Sequence, residues 1–165
     1  MLAAPQSTRA RVLGGDVPAA RHLAVVREAM LQVLRPLALT GPVLSNSREL
    51  LDYLSAEMAY LPSEHLRVLF LNAQNRLLAD ETVSLGTARE TPIYPREVIR
   101  RALELGATAL ILAHNHPSGD PQPSAGDVAA TRRLREVGSI LDVEIHDHLV
   151  IARSGCASLR ALGYL

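Results

Sequence analysis

The run "ATALILA", residues 107–113, is apolar at nearly every position. An alternating run would leave one face to water, whereas a continuous one belongs to a strand covered on both faces. The chain must therefore supply packing elements on each side of it. Ahead of the run, "PREVIRRALELG" opens on Pro95, sets Val98, Ile99, Ala102 and Leu103 at helical spacing and ends at Gly106. Behind it, "SAGDVAATRRLREVG" is helical again. "LRVLFLN", the turn signal "AQN" and "RLLADETVSLG" read as a hairpin, "VEIHDHLVIA" as a further strand and "ASLRAL" as a last short helix. Strands alternating with helices in this way predict a layered α/β fold with a mixed sheet.

The N-terminal part reads differently. "ARHLAVVREAMLQVLR" places Leu23, Val26, Met30, Val33 and Leu34 on one stripe, expected to dock on the body, with Pro36 stopping the helix. "LALTGPVLSN" follows as a linker around Gly41 and Pro42, with Ser45 or Ser47 available to cap the helix "RELLDYLSAEMAYL". The Ala/Pro/Arg/Gly-rich residues 1–20 are expected to be a disordered tail. The expected organisation is thus a tail over 1–20, a helix and linker over 21–44 and one domain over 45–165.

Composition narrows the function classes. Seventeen Lys plus Arg balance seventeen Asp plus Glu, so no net field draws the molecule to nucleic acid or an anionic membrane. The lone Cys156 rules out a disulfide within the chain and a Cys-rich zinc module, and fits a reducing, cytoplasmic setting. No apolar stretch approaches the ~20 residues that span a bilayer, so a soluble protein is expected.

The chemistry concentrates in "HNHPSGDPQPSAGD", residues 114–127. His114 and His116 stand at the carboxyl end of the buried strand, and their spacing puts both imidazoles on one face of an extended chain. That spacing alone suits a solvated strand end as well as a metal. Pro117, Gly119, Pro121 and Pro123 make the next segment stiff and turn-rich, able to return a later carboxylate to the strand end at small entropic cost. Ser124 and Asp127 then form S-x-x-D, a variant of the helix capping box. An Asp in the first helical turn can serve both as cap partner and as third ligand. Two histidines and one carboxylate leave positions open, as in a catalytic centre, for which zinc is the first choice and Fe(II) the alternative.

The pattern H-x-H-x(7)-S-x-x-D, met at His114, His116, Ser124 and Asp127, resembles the motif of the JAMM metalloproteases, the JAB/MPN domain family. "YPREVIRRALELGATALILAHNHPSGDPQPSAGD" and "DHLVIA" resemble its RadC branch, and the likeness covers about residues 45–165. The resemblance implies a three-layer α/β/α fold akin to cytidine deaminases and a zinc hydrolase site. His114, His116 and Asp127 would bind zinc, an upstream glutamate would act on the activated water, and Ser124 would stabilise an oxyanion. Glu64, in "LPSEHLRVLFLN", matches that glutamate, with Glu81, Glu90 and Glu97 as rivals. A second H-x-H, His146 and His148 around Asp147, resembles an Asp-His pair of the branch and is expected to support the first site or the fold. In an ideal strand His146 and His148 share one face, and Ile145, Asp147, Leu149 and Ile151 the other. The chain departs from its relatives at Asn72, where they usually have Asp, and the likeness does not reach the helix-hairpin-helix-like region that longer relatives carry upstream.

The expected activity is hydrolysis of a peptide or isopeptide bond; the substrate and the oligomeric state are not legible. The alternative is a nucleic-acid-associated repair accessory or a metal-dependent nuclease. That reading needs a local basic patch at Arg96, Arg100 and Arg101 or at Arg132, Arg133 and Arg135. One Phe, four Tyr and no Trp offer little for base stacking, so weak nucleic-acid binding is expected. Deaminase chemistry fails on ligands, since P-C-x-x-C needs more cysteines than the chain has.

Overall fold

A computed structural model describes residues 6–39, 41–43, 47–85 and 93–165. At its centre is the strand Ala109–Asn115, buried along its whole length. It is the third of five strands: β1 His65–Leu71, β2 Leu77–Leu85, β3 Ala109–Asn115, β4 Glu144–Ala152 and β5 Gly155–Ser158. The sheet order is β2-β1-β3-β4-β5. β1 pairs antiparallel with both β2 and β3, β3 runs parallel to β4, and β5 returns antiparallel to β4.

Alternation along β3 feeds two cores. Ala109, Ile111 and Ala113 pack with Leu50, Tyr53 and Leu54 of the helix α3, Ser47–Met58. Leu110 and Leu112 pack with Val98, Ile99 and Ala102 of α4, Pro95–Leu105, and with Leu134 of α5, Ala125–Ile140. The sheet therefore has helices on both faces, the three-layer arrangement expected. Each fully buried Leu or Ile contributes about 1.5–3 kcal/mol, so these two clusters are what hold the layers together.

Local signals place α4 and α5 as expected. Pro95 begins α4, and Gly106 ends it at φ 65, its N–H reaching the carbonyls of Ala102 and Leu103. α5 crosses from β3 to the parallel β4, and the turn that joins α5 to β4 folds back closely on Gly138, where a Cβ would lie 2.5 Å from the Val143 carbonyl oxygen. In the β1–β2 turn, Asn72 Oδ1 accepts from the backbone N–H groups of Gln74 and Arg76, each at 3.0 Å. A carboxylate would serve equally, which accounts for the departure at this position.

Four expectations are corrected. Residues 1–20, expected as a disordered tail, carry α1, Gln6–Val12, and the start of α2, Val17–Leu39. Asp16 caps α2, its Oδ1 accepting from Ala19 N–H at 2.9 Å. α2 also runs through Pro36: a proline removes one hydrogen bond, and the helix continues only to Leu39. The stripe expected to dock is rotated as well. Leu31 is buried and Leu23 and Leu34 are half-buried, while Val26, Met30 and Val33 face out. Leu31 and Leu34 turn into the core shared with α3, and Arg27, one turn before Leu31, donates to the Ala56 and Glu57 carbonyls near the C-terminus of α3. Finally, "ASLRAL" forms part of β5 and then turns, not a helix. Ser45 lies outside the described residues. No helix among the described residues is long and apolar enough to cross a membrane.

Candidate metal centre

β3 delivers His114 in register with Leu66 of β1 and Val150 of β4. The ladder runs on past the strand, since His116 N–H donates to the Ile151 carbonyl at 2.9 Å. His116 thus keeps the extended backbone that puts it on the face of His114. The chain then turns back: Gly119 N–H donates to the His116 carbonyl at 3.1 Å, with Gly119 at φ 94. Arg153 Nη2 donates to the Pro117 and Ser118 carbonyls, and the Ser154 hydroxyl to the Gly119 carbonyl, fastening this loop to the β4–β5 turn.

The loop ends at Ser124, the N-cap of α5. Ser124 Oγ accepts from Asp127 N–H at 3.1 Å and donates to Asp127 Oδ2 at 2.7 Å, while Ser124 N–H donates to the same Oδ2 at 2.7 Å. This is a full capping box. It leaves Oδ1 of Asp127 3.4 Å from His114 Nε2, and Oδ2 3.6 Å from His116 Nε2. The two imidazole Nε2 atoms are 2.9 Å apart. Ligand atoms of His114, His116 and Asp127 all lie within 4.8 Å of one another.

The donor set fits a cation. His116 Nδ1 lies 2.9 Å from the Asp120 carbonyl, which can only accept, so Nδ1 carries the hydrogen and Nε2 of the neutral ring presents a lone pair. That lone pair faces a second imidazole nitrogen and a carboxylate. A tetrahedral ion with ~2.0–2.1 Å bonds to nitrogen sets its donors roughly 3.3 Å apart, which the observed spacings bracket. Burial opposes charge on Asp127, yet the adjacent His114 and His116 rings and the Ser124 hydroxyl prevail and hold its carboxyl well below the usual range. The same contact with Asp127 raises His116 above its ordinary value against the effect of burial.

Behind His114 lies a residue of the second H-x-H. His148, fully buried, places Nε2 2.8 Å from His114 Nδ1 and Nδ1 2.6 Å from the hydroxyl of Thr131 on α5. Burial drives the His148 ring far below its ordinary value, which favours the neutral form. The ideal alternation expected for β4 does not hold. His146 is an extra residue in the ladder, because Ile145 pairs with Leu110 and Asp147 with Ile111. His148 therefore reaches His114, whereas His146 bonds Asn75 Oδ1 at 2.7 Å. Asp147 accepts from the Ser158 hydroxyl and the Arg160 N–H and ties β4 to the C-terminal turns.

Glu64 immediately precedes β1 and is half-buried, two residues ahead of Leu66, the residue that pairs with His114. Its neighbours are held by Asn115, a buried residue between the two histidines that the sequence reading did not single out. Among the rivals, Glu81 is paired with Arg101 and Glu97 with Arg100; Glu90 lies outside the described residues. Thr131 and Asp120 were also missed. Thr131 had one signal, its place one helical turn after Asp127.

The sheet, the two helical layers and this cluster at the end of β3 define an α/β domain of JAB type with a histidine–carboxylate centre arranged like a metal site. The RadC-like JAB domain model matches residues 44–164, and the chain belongs to that family. It is 47% identical over 165 residues to a UPF0758 protein of Rhodobacter capsulatus, an alignment covering 100% of this chain and 77% of that relative.

Proposed function

We propose that this chain is a zinc-dependent hydrolase of peptide or isopeptide bonds. The observation that carries the reading is the convergence of His114, His116 and Asp127 at a strand end, with Glu64 two residues ahead of the β1 position that pairs with His114. Zinc held by the three ligands supplies Lewis acidity, which makes water a nucleophile near neutral pH; Fe(II) fits the same donors as the second choice.

The protein's own groups then move the proton. Glu64 accepts it from the attacking water as oxygen adds to the carbonyl carbon, and returns it to the amine nitrogen as the C–N bond breaks. Ser124 has a double part. Its hydroxyl orients Asp127 in the capping box, and turned toward substrate it would donate to the carbonyl oxygen as negative charge develops there. The nucleic-acid reading has weaker support, because Arg100 and Arg101 are paired with Glu97, Glu104 and Glu81 and offer little free positive charge. We place the activity in the cytoplasm, on the composition.

The test compares the wild type and Glu64→Gln, each loaded with zinc, on a panel of peptides and isopeptides. The amide keeps shape but cannot take the proton, so Glu64→Gln is expected to keep its zinc and its melting temperature and to lose turnover. Full turnover in Glu64→Gln would reject the assignment of the base, and a loaded wild type inert on the whole panel would reject the hydrolase.

A further inference from the structure

The hydrogen bonds behind His114 run in one direction only. Thr131 Oγ1 donates to the Asp127 carbonyl at 2.6 Å, and a backbone carbonyl has no hydrogen to give. The hydroxyl hydrogen is thereby spent, so at 2.6 Å Thr131 can only accept from His148 Nδ1. A neutral imidazole protonated at Nδ1 presents a lone pair at Nε2, and that lone pair, 2.8 Å away, takes the hydrogen of His114 Nδ1. With His148 neutral, any other arrangement would set two lone pairs, or two hydrogens, against each other at the His148–Thr131 or His148–His114 contact, while the Nε2 atoms of His114 and His116, 2.9 Å apart, are left to share a cation or a proton.

We propose that His148 and Thr131 are positioning residues, which fix the tautomer and ring orientation of His114 so that Nε2 presents its lone pair to the metal. His148 is then not a ligand, since its Nε2 is committed to the far side of the His114 ring. The two histidine ligands are matched: His116 is set by the Asp120 carbonyl, and His114 by a relay ending on the Asp127 carbonyl. The relay also closes a ring, because Asp127 supplies both the carbonyl that starts it and the carboxylate that shares the ion with His114. A shift of α5 would disturb both ligands together. The inference rests on the metal reading above for its metal-binding consequence, but the direction of the relay holds in the metal-free protein.

The experiment has two readouts other than turnover. Long-range ¹H–¹⁵N spectra of the metal-free wild type are expected to show both His114 and His148 protonated at Nδ1. His114 or His148 protonated at Nε2 would overturn the proposal without any variant having to fold. Zinc affinity, by competition with a chelator, is expected to fall about ten- to hundredfold in His148→Leu and in Thr131→Val, the usual effect of removing such a partner. His148→Gln, which keeps an acceptor, and Thr131→Ser, which keeps the hydroxyl, are expected to recover most of it. A folded Thr131→Val binding zinc as tightly as the wild type would also overturn the proposal. A wild type that binds no zinc would sink the metal reading, while the tautomer spectra would still decide the relay.

Discussion

Asn115 brackets Glu64 from both sides: its Nδ2 donates to the Ser63 carbonyl at 3.0 Å, and its Oδ1 accepts from the His65 N–H at 2.9 Å. The residue between the two candidate ligands thus fixes the backbone that carries the candidate base. Asn115→Ala would leave one donor and one acceptor without partners, at about 1–3 kcal/mol for each where water cannot reach. Turnover is expected to fall more than zinc affinity, since the ligands stay in place. Denaturant unfolding, zinc titration and turnover on one sample would check it; a variant that loses zinc and keeps its rate per bound zinc contradicts the bracket.

Metal content gives the most direct check of the centre. Protein purified without added metal and then reconstituted is expected to hold one ion per chain, and His114→Ala to lose it. Because an ion binds the folded state, loading at 100-fold over the dissociation constant should stabilise by about 2.7 kcal/mol, and a chelator should reverse that. Elemental analysis with thermal melting reads both. Undiminished zinc in His114→Ala would remove the centre.

Gly138 tests the turn from α5 into β4 separately from the chemistry. A Cβ there would meet the Val143 carbonyl oxygen at 2.5 Å, and backbone cannot step aside as a side chain can. Gly138→Ala is expected to cost about 1–3 kcal/mol or more, despite the higher helix propensity of Ala. Urea unfolding measures this, and a stabilised variant would refute the close approach.

Glu81 separates a surface ion pair from the site. Hydrogen bonds from Arg101 hold its carboxyl below the ordinary 4.5, with burial opposing. A lowered value means that the pair's stability is present above 4.5 and is lost as pH falls through the folded-state value. Glu81→Gln is therefore expected to be slightly less stable than wild type at neutral pH, with the gap closing in acid and in high salt, and with turnover unchanged. Melting curves across pH decide the first point; lost turnover would return Glu81 to the candidates for the base.

The sequence by itself determined what is local. The unbroken apolar run of β3 demanded two helical layers. Pro95 and Gly106 bounded α4, and the S-x-x-D box began α5. The spacing of His114, His116 and Asp127 suited a solvated strand end as well as a metal, and it was the resemblance of the whole motif that marked the candidate centre. What it left open depended on partners distant in sequence. The rotation of α2 follows from the face of Leu31 and Leu34 turning to the core shared with α3, with Arg27 reaching the Ala56 and Glu57 carbonyls across the helix pair. The separation of His146 from His148 follows from one extra residue in the β3–β4 ladder, invisible to alternation. The bracket on Glu64 and the relay behind His114 join residues brought together only by strand pairing and by the crossing of α5. A pattern along one segment sets its period, but its phase is decided by whatever packs against it, and that was settled only in the tertiary structure.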